Sequence, residues 1–113
     1  MTSQGTAHAR FQRAIKRGHL LAAETAAREL GALSSTDALA LCLLYQREGD
    51  PRFESAFRRW LGRVRRDRAL SHEEVELLRA AAGALGSPLR DLGLTVLEQA
   101  CLKWRLPLPT LPP

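Results

Sequence analysis

The sequence lacks the residue groupings that most catalytic and metal-binding sites need. Its two cysteines, Cys42 and Cys101, lie far apart, and neither belongs to a CxxC pair or a Cys/His cluster typical of zinc sites. None of the histidines, His8, His19 and His72, has a Cys, Ser or second His at a catalytic or ligand spacing. There is no glycine-rich phosphate loop and no nucleophile beside a base. We therefore predict a protein that is not an enzyme, binds no metal or cofactor, and buries both cysteines as free thiols.

Long apolar runs and alternating patterns are also missing. The longest apolar run, Ala38 to Tyr45, is far too short to span a bilayer. The first ten residues, MTSQGTAHAR, have no apolar core of the kind found in a secretory signal. β-branched residues are few, and no run alternates with a period of two. The sequence thus predicts a cytoplasmic, all-α protein that does not insert into membranes.

Alanine, leucine and arginine dominate what is present. With 113 residues the chain is long enough for one domain, which buries roughly two-thirds of its unfolded surface and needs no metal or disulfide. The net charge is +5, and 15 of the 17 basic residues are arginine. A basic balance favours association with nucleic acid or anionic surfaces, although an arginine excess can also reflect a GC-rich genome.

The stretch Asp37 to Val64 is predicted to form a helical hairpin at the centre of the core. Its first half, DALALCLLYQREG, is apolar around the whole helix, which is typical of a helix covered on several sides. Gly49 suits the end of that helix, and Asp50 and Pro51 suit the start of the next. The second helix carries one apolar stripe at helical spacing, made of Phe53, Phe57, Trp60, Leu61 and Val64.

Capping and turn residues divide the rest of the chain into further helices. The expected helices begin near residues 6, 19, 37, 51, 71 and 88, and they pair as three antiparallel hairpins with turns at 18–19, 49–50 and 86–87. We expect a disordered start over residues 1–5 and a single helical domain over 6–105. The hairpins could stack as a short helical-repeat array or pack as a compact bundle.

The hairpin turns recur at spacings of 31 and 37 residues, which is typical of α-hairpin repeats. Around the central turn, Leu41, Cys42, Tyr45, Gly49 and Asp50 stand in the register of the tetratricopeptide family. After a two-residue shift, Ala56 and Trp60 also match. The segment GHLLAAETAAREL resembles the second helix of that family, and the third hairpin matches it only at its turn. The chain therefore resembles a degenerate tetratricopeptide-like fold over about half its length, and an unrelated bundle is the alternative.

Arginines crowd the fourth predicted helix and its exit. Most of them lie opposite the stripe of Phe53 and Trp60 on a helical wheel. This surface could contact phosphates or an acidic partner, or it could be a solvated face supported by Glu54–Arg58 and Arg63–Asp67 pairs. No aromatic residue stands among the arginines, which argues against single-strand recognition by stacking. The candidate contact residues are Arg52, Arg58, Arg59, Arg63, Arg65, Arg66 and Arg68.

A second nucleic-acid signal lies between the fifth and sixth predicted helices. Ala82, Gly86 and Leu92 weakly resemble the spacing of a helix-turn-helix. The helix that would read bases is mostly apolar, however, and carries only Arg90 and Asp91 near its start. We therefore interpret it as a core helix with a wide apolar face from Leu89 to Trp104.

The C-terminal segment 106–113, LPLPTLPP, is expected to be an extended or polyproline II tail because its prolines cannot continue a helix. It is more apolar than an ordinary linker. We expect it to lie against an apolar groove, either in its own domain near Trp104 or in a second copy; the alternative is a disordered end. The candidate docking residues are Leu106, Pro107, Leu108, Pro109, Leu111 and Pro112.

These observations favour a non-catalytic protein–protein interaction or adaptor module of helical-hairpin type. Its partner would be a protein segment, and the exposed ends of short helical arrays also favour homo-oligomers. The alternative is a small nucleic-acid-associated regulator that uses the arginine-rich helix.

Overall fold

The computed structural model describes residues 3–113, with side chains from Ala7 onward. The described part of the chain contains six α-helices. Met1 and Thr2, which belong to the start predicted to be disordered, lie outside the described residues. The first helix begins at Ser3 and not near Thr6. The helices are α1 Ser3–Arg17, α2 Leu20–Leu30, α3 Ser35–Arg47, α4 Arg52–Arg68, α5 His72–Ala84 and α6 Arg90–Lys103. The predicted all-α class with six helices in hairpin order is confirmed.

Two helices begin at the side-chain caps that the sequence indicates. The Ser34 hydroxyl accepts a hydrogen bond from the Asp37 N–H at 3.1 Å at the start of α3. At the start of α5, the Ser71 hydroxyl accepts from the Glu74 N–H at 3.1 Å, and the Glu74 carboxylate accepts from the Ser71 N–H at 3.0 Å. This reciprocal capping box satisfies two backbone donors that a helix start otherwise leaves unpaired.

Four helices share one kind of C-terminal end. A residue one or two positions after the helix has a positive φ, and the next N–H bonds back to a carbonyl five residues earlier, as in a Schellman motif. Glycine adopts this backbone readily, whereas a side chain makes it costly. At these four helix ends the positive φ falls at Gly18 after α1, Gly49 after α3, Ala69 after α4 and Arg105 after α6.

The chain divides into two compact units. Unit 1 comprises residues 1–53 and 109–113, and unit 2 comprises residues 54–108. The prediction of a single domain over residues 6–105 stays a prediction. The last five residues therefore belong to the unit that contains the first helices.

Unit 1 is built on the packing of α1 against α2, with α3 touching both. Small residues on α2 let its axis approach α1 closely, and Ala23 and Ala26 are buried there. A cross-helix contact joins α1 to α3, because His8 Nε2 lies 3.0 Å from Asp37 Oδ2. As predicted, α3 buries most of its circumference. The core side chains of this cluster are Phe11, Ala14, Ile15, Ala23, Ala26, Ala40 and Leu44.

Unit 2 contains the predicted apolar stripe of α4 except for Phe53, which is assigned to unit 1. Trp60 is only 3% exposed, so its prediction as a core residue is confirmed, and its ring centroid lies 5.4 Å from that of Phe57. In the same unit α5 packs on α6. Gly93 of α6 makes this packing close, since a Cβ there would lie 2.6 Å from the Ala81 carbonyl oxygen.

The apolar face predicted for α6 is only partly buried. Leu97 and Cys101 are buried, whereas Leu92 is 59% exposed and Leu89 is exposed as well. The helix begins at Arg90, two residues later than the Ser-Pro signal suggests. The Ser87 hydroxyl explains the delay, because it bonds the Ala84 carbonyl and the Leu89 N–H within a turn and does not cap α6.

The C-terminal tail is non-helical, as predicted, and its last part packs within unit 1. Pro109 is buried. The Pro113 ring lies beside the α1–α2 turn, where its Cγ and Cδ would be 3.5 Å from a Cβ on Gly18. Leu108 and Leu111 remain exposed. The tail therefore buries Pro109 and presents two of its leucines to solvent.

Candidate partner-binding surfaces

The α1–α2 hairpin carries an open groove of about 550 Å³ on its outer side. Three arginines of α1, Arg10, Arg13 and Arg17, line it at spacings that place them along one helix face. The first turn of α2 supplies the facing wall. The remaining lining residues are Ala14, His19, Leu21, Ala22 and Thr25.

The wall on α2 is apolar and open to solvent. Leu21 is 75% exposed, and Ala22 beside it is exposed too. The Thr25 hydroxyl donates to the Leu21 carbonyl at 2.9 Å, so that the oxygen is already satisfied within its own helix. In this groove the exposed side chain of Leu21 therefore lies opposite the row of arginines on α1.

The three arginines of the groove differ in their pairing. Arg10 makes a two-pronged contact with the Glu29 carboxylate, and this hydrogen bonding lowers the pKa of Glu29. Arg13 and Arg17 are exposed and form no ion pair with a carboxylate in the described part of the chain. Two guanidinium groups of the groove are therefore available to an anionic partner.

Arg52 stands apart from the other candidate arginines. Its guanidinium Nη2 lies 2.9 Å from Glu24 Oε1 and 2.9 Å from Asp50 Oδ2. Hydrogen bonds from Arg52 lower the pKa of Asp50. The bond from the Arg52 side chain is the larger cause, and the bond from its backbone N–H is the second. The structure thus places Arg52 in an ion-pair network of unit 1, where it ties α2 to the α3–α4 turn.

The other candidate arginines lie on α4 in unit 2. All of them except the partly buried Arg63 are exposed. Among the described side chains, Glu54 and Arg58 do not form the ion pair that the sequence suggested for a solvated face. The exposed members are Arg58, Arg59, Arg65, Arg66 and Arg68.

A second groove, of about 280 Å³, lies between α5 and α6 in unit 2. Leu77 is 56% exposed at its edge, and the partly buried Trp104 closes one end. Lys103 Nζ lies 3.1 Å from Glu74 Oε2 at that end. The pKa of Glu74 is lowered first by the bond from the Ser71 N–H and then by Lys103. This groove offers apolar contacts, but the charges of Lys103 and Glu74 at its end already neutralise each other.

The remaining candidate residues are dispersed. Cys42 and Cys101 are free and buried, as predicted, and burial raises the pKa of the Cys101 thiol. His19 precedes α2, and His72 is the first residue of α5. Within the described residues, no three His, Cys, Asp or Glu side chains gather in a way that could hold a metal ion. None of the described helices is both long and apolar enough to cross a membrane.

Comparisons with protein-family models, with curated proteins and with solved structures find no match for this chain. The tetratricopeptide-like resemblance therefore stays a prediction that depends on the residues around Gly49 and Asp50.

Sequence reasoning missed the α1–α2 groove. Its signal was the spacing of Arg10, Arg13 and Arg17, which share a face at i, i+3 and i+7. The apolar half of the groove could not be read in the same way. Leu20 and Leu21 are adjacent, and the pattern alone does not tell which of them faces α1 and which faces solvent.

Proposed function

We propose that this protein is a non-catalytic interaction module that binds an acidic, amphipathic segment of another protein in its α1–α2 groove. The observation that carries the proposal is that Leu21, 75% exposed, shares one groove with Arg13 and Arg17, whose guanidinium groups form no ion pair with a carboxylate among the described residues. An exposed leucine contributes to binding when a partner removes its apolar surface from water.

The charge of the groove selects the chemistry of the partner. Arginine donates paired, planar hydrogen bonds that fit carboxylates, so that glutamate or aspartate is the expected counterpart. The volume of about 550 Å³ lies within the range of ordinary ligand sites and accommodates a few side chains. A helix with acidic residues on one side and leucines on the other would meet both walls at once.

The thiols support a proposal for the compartment. Cys42 and Cys101 are free, and the reducing cytoplasm maintains thiols in that state. We therefore propose a cytoplasmic protein. Sedimentation of the partner-free protein would test whether it also forms the homo-oligomer predicted from its sequence.

A labelled helical peptide with glutamates on one face and leucines on the other tests the groove by fluorescence anisotropy. The unmodified protein should bind it, and Arg13→Gln combined with Arg17→Gln should weaken binding at least about tenfold. Leu21→Ser should weaken it as well. A scrambled peptide of the same composition serves as the control ligand.

Matched variants outside the groove serve as control proteins. Lys16→Gln removes a charge from α1 beyond the groove lining, and Leu92→Ser removes an exposed leucine from α6. Both should bind the peptide as tightly as the unmodified chain. Equal losses in control and groove variants, or equal affinity for the scrambled peptide, would contradict the proposal.

A further inference from the structure

Helix α4 holds the charge imbalance of the molecule. Its seven arginines stand against one glutamate, Glu54, and one aspartate, Asp67, which gives a net charge of +5. The whole chain has the same net charge of +5, so the other residues are neutral together. Concentrated positive charge of this kind attracts polyanions over the distance of the Debye length.

The arginines of α4 surround a glycine. Around Gly62, positions i−4, i−3, i+3 and i+4 are all arginine, and on a helix these four positions are the neighbours of one surface site. Gly62 has no side chain, and the Arg66 guanidinium folds over it, with Nη1 3.7 Å from where a Cβ would lie. The four surrounding residues are Arg58, Arg59, Arg65 and Arg66.

Both features weaken an isolated helix. Like charges three or four residues apart repel each other, as Arg59 and Arg63 do, and a glycine inside an exposed helix is less favourable than alanine. Packing does not explain why both features coincide at one surface site, because among the described residues Arg66 alone places an atom within 4 Å of where a Gly62 Cβ would lie. Departures from local helix preference of this kind tend to lie at functional sites.

The surroundings of the arginines narrow the class of partner. Phe57, Trp60, Leu61 and Val64 of α4 are buried, and the remaining aromatic residue, Phe53 in its first turn, is partly buried. No exposed aromatic side chain on α4 is therefore available for stacking on single-stranded bases, and no leucine is available to insert into a membrane. An apolar anchor for a peptide is missing from the α4 face for the same reason.

A phosphate backbone in a duplex needs none of these anchors. Arg58 and Arg65 are seven residues apart, which is about 10 Å along the helix axis. A nucleic-acid strand offers a phosphate about every 3.4 Å along its axis, so that several phosphates face a surface of this length. Guanidinium groups bind phosphates through paired hydrogen bonds.

We propose that the α4 face binds the phosphate backbone of double-stranded nucleic acid, without sequence preference, through the four arginines that surround Gly62. Arg63 lies at the border of the contact. The absent side chain of Gly62 lets a phosphate approach the helix between the guanidinium groups.

Titration of a labelled DNA duplex at increasing salt tests the proposal. Four phosphate contacts give a slope of about −3.6 for log K against log salt, which is a loss of about 100-fold between about 50 and 200 mM. Each single change, such as Arg58→Gln or Arg65→Gln, should weaken binding and make the slope shallower by about 0.9. Arg28→Gln is a matched change of an exposed arginine on α2. It should leave the affinity for the duplex and the salt slope unchanged.

A change at the centre of the ring gives a second, independent test. Gly62→Glu places a carboxylate within reach of all four guanidinium groups and should abolish duplex binding, whereas Gly62→Ala fits the site and should retain most of it. Circular dichroism confirms that both variants remain helical. Unchanged affinity in Gly62→Glu would overturn the proposal.

Further measurements distinguish double-stranded nucleic acid from other possible partners of the α4 face. Undetectable duplex binding at low salt, or a slope that does not respond to the α4 changes, would overturn the proposal. It would also fail if polyglutamate or anionic phosphatidylserine vesicles bind α4 as strongly as the duplex does. The variant with Arg13→Gln and Arg17→Gln should bind the duplex normally, so failure of the α1–α2 groove proposal and failure of this one give different results.

Discussion

The guanidinium carbon of Arg52 lies 4.8 Å from the centroid of the Tyr45 ring. This cation–π contact joins the first residue of α4 to the last turns of α3. Together with the bonds to Glu24 and Asp50, this contact holds the Arg52 side chain against other residues of unit 1. Of the seven arginines on α4, this one has a structural role that its position in the sequence does not reveal.

The Arg52 contact predicts a change in the titration of Tyr45. Burial is the largest cause that raises the pKa of the Tyr45 phenol, and the positive charge of Arg52 lowers it in part. Arg52→Gln should therefore raise the pKa of Tyr45 further and lower the melting temperature. Ultraviolet titration of the only tyrosine measures the first effect. Arg58→Gln is the control, and an equal effect from it would contradict the assignment.

Trp60 should be among the most costly side chains to truncate. It is buried in the stripe of α4, and Trp60→Ala should lower the free energy of unfolding by about 3–5 kcal/mol because it leaves a large cavity. Leu77→Ala, at an exposed leucine, should cost less than about 0.5 kcal/mol. Urea denaturation measures both. Similar losses in the two variants would show that Trp60 does not support the core.

Two glycines in the helices of unit 2, Gly93 in α6 and Gly83 in α5, should respond to alanine in opposite directions. Gly93→Ala brings a Cβ to 2.6 Å from the Ala81 oxygen, so overpacking should cost about 1–3 kcal/mol. Gly83 lies in α5 with nothing within 4 Å of an added Cβ. Gly83→Ala should therefore stabilise the protein by about 0.5–1 kcal/mol through helix preference. Thermal unfolding distinguishes the two, and a stabilising Gly93→Ala would refute the close approach.

Glu74 should make stability depend on acid. Its pKa is lowered from an ordinary value of 4.5, so its contribution is complete above that pH and is lost as the pH falls through the lower folded value. Glu74→Gln should therefore be less stable than the unmodified protein at neutral pH, with the difference vanishing in strong acid. Lys103→Gln should raise the pKa of Glu74 only in part, since the Ser71 N–H is the larger cause. Carbon-13 NMR of the carboxyl group follows this titration.

The tail should contribute to the stability of unit 1. Removal of residues 109–113 exposes the surface that Pro109 covers and should cost about 1–2 kcal/mol. Pro109→Ser should reproduce part of the loss, whereas Leu111→Ser changes an exposed side chain and should not. An unchanged melting temperature after truncation would show that the tail packs too weakly to matter.

The parts of the fold that could be predicted from the sequence depend on local interactions. Ser71 and Glu74 cap their own helix, and the stripe that contains Trp60 repeats within one element. The misjudged positions depend on distant partners. The Glu24 carboxylate that holds Arg52 is 28 residues away in sequence. The exposure of Leu92 likewise depends on which side of α6 a neighbouring helix covers, and a helical repeat does not contain this information.

The candidate surfaces show the same division. The arginines around Gly62 are neighbours because of helix geometry alone, so the charged face could be read from the sequence. The α1–α2 groove needs two helices at a fixed distance. Arg13 and Leu21 share that groove because the Gly18 turn folds α2 back along α1, and spacing within either helix does not predict the pairing.

The assignment of residues 109–113 to unit 1 has a consequence for biosynthesis. A unit that needs both residues 1–53 and the segment 109–113 cannot be completed while the ribosome still holds that segment in its exit tunnel. Domains usually fold in the order in which they emerge, with the N-terminal one first. Here α1–α3 are synthesised first, yet they gain the contacts of residues 109–113 only after residues 54–108 have also been synthesised.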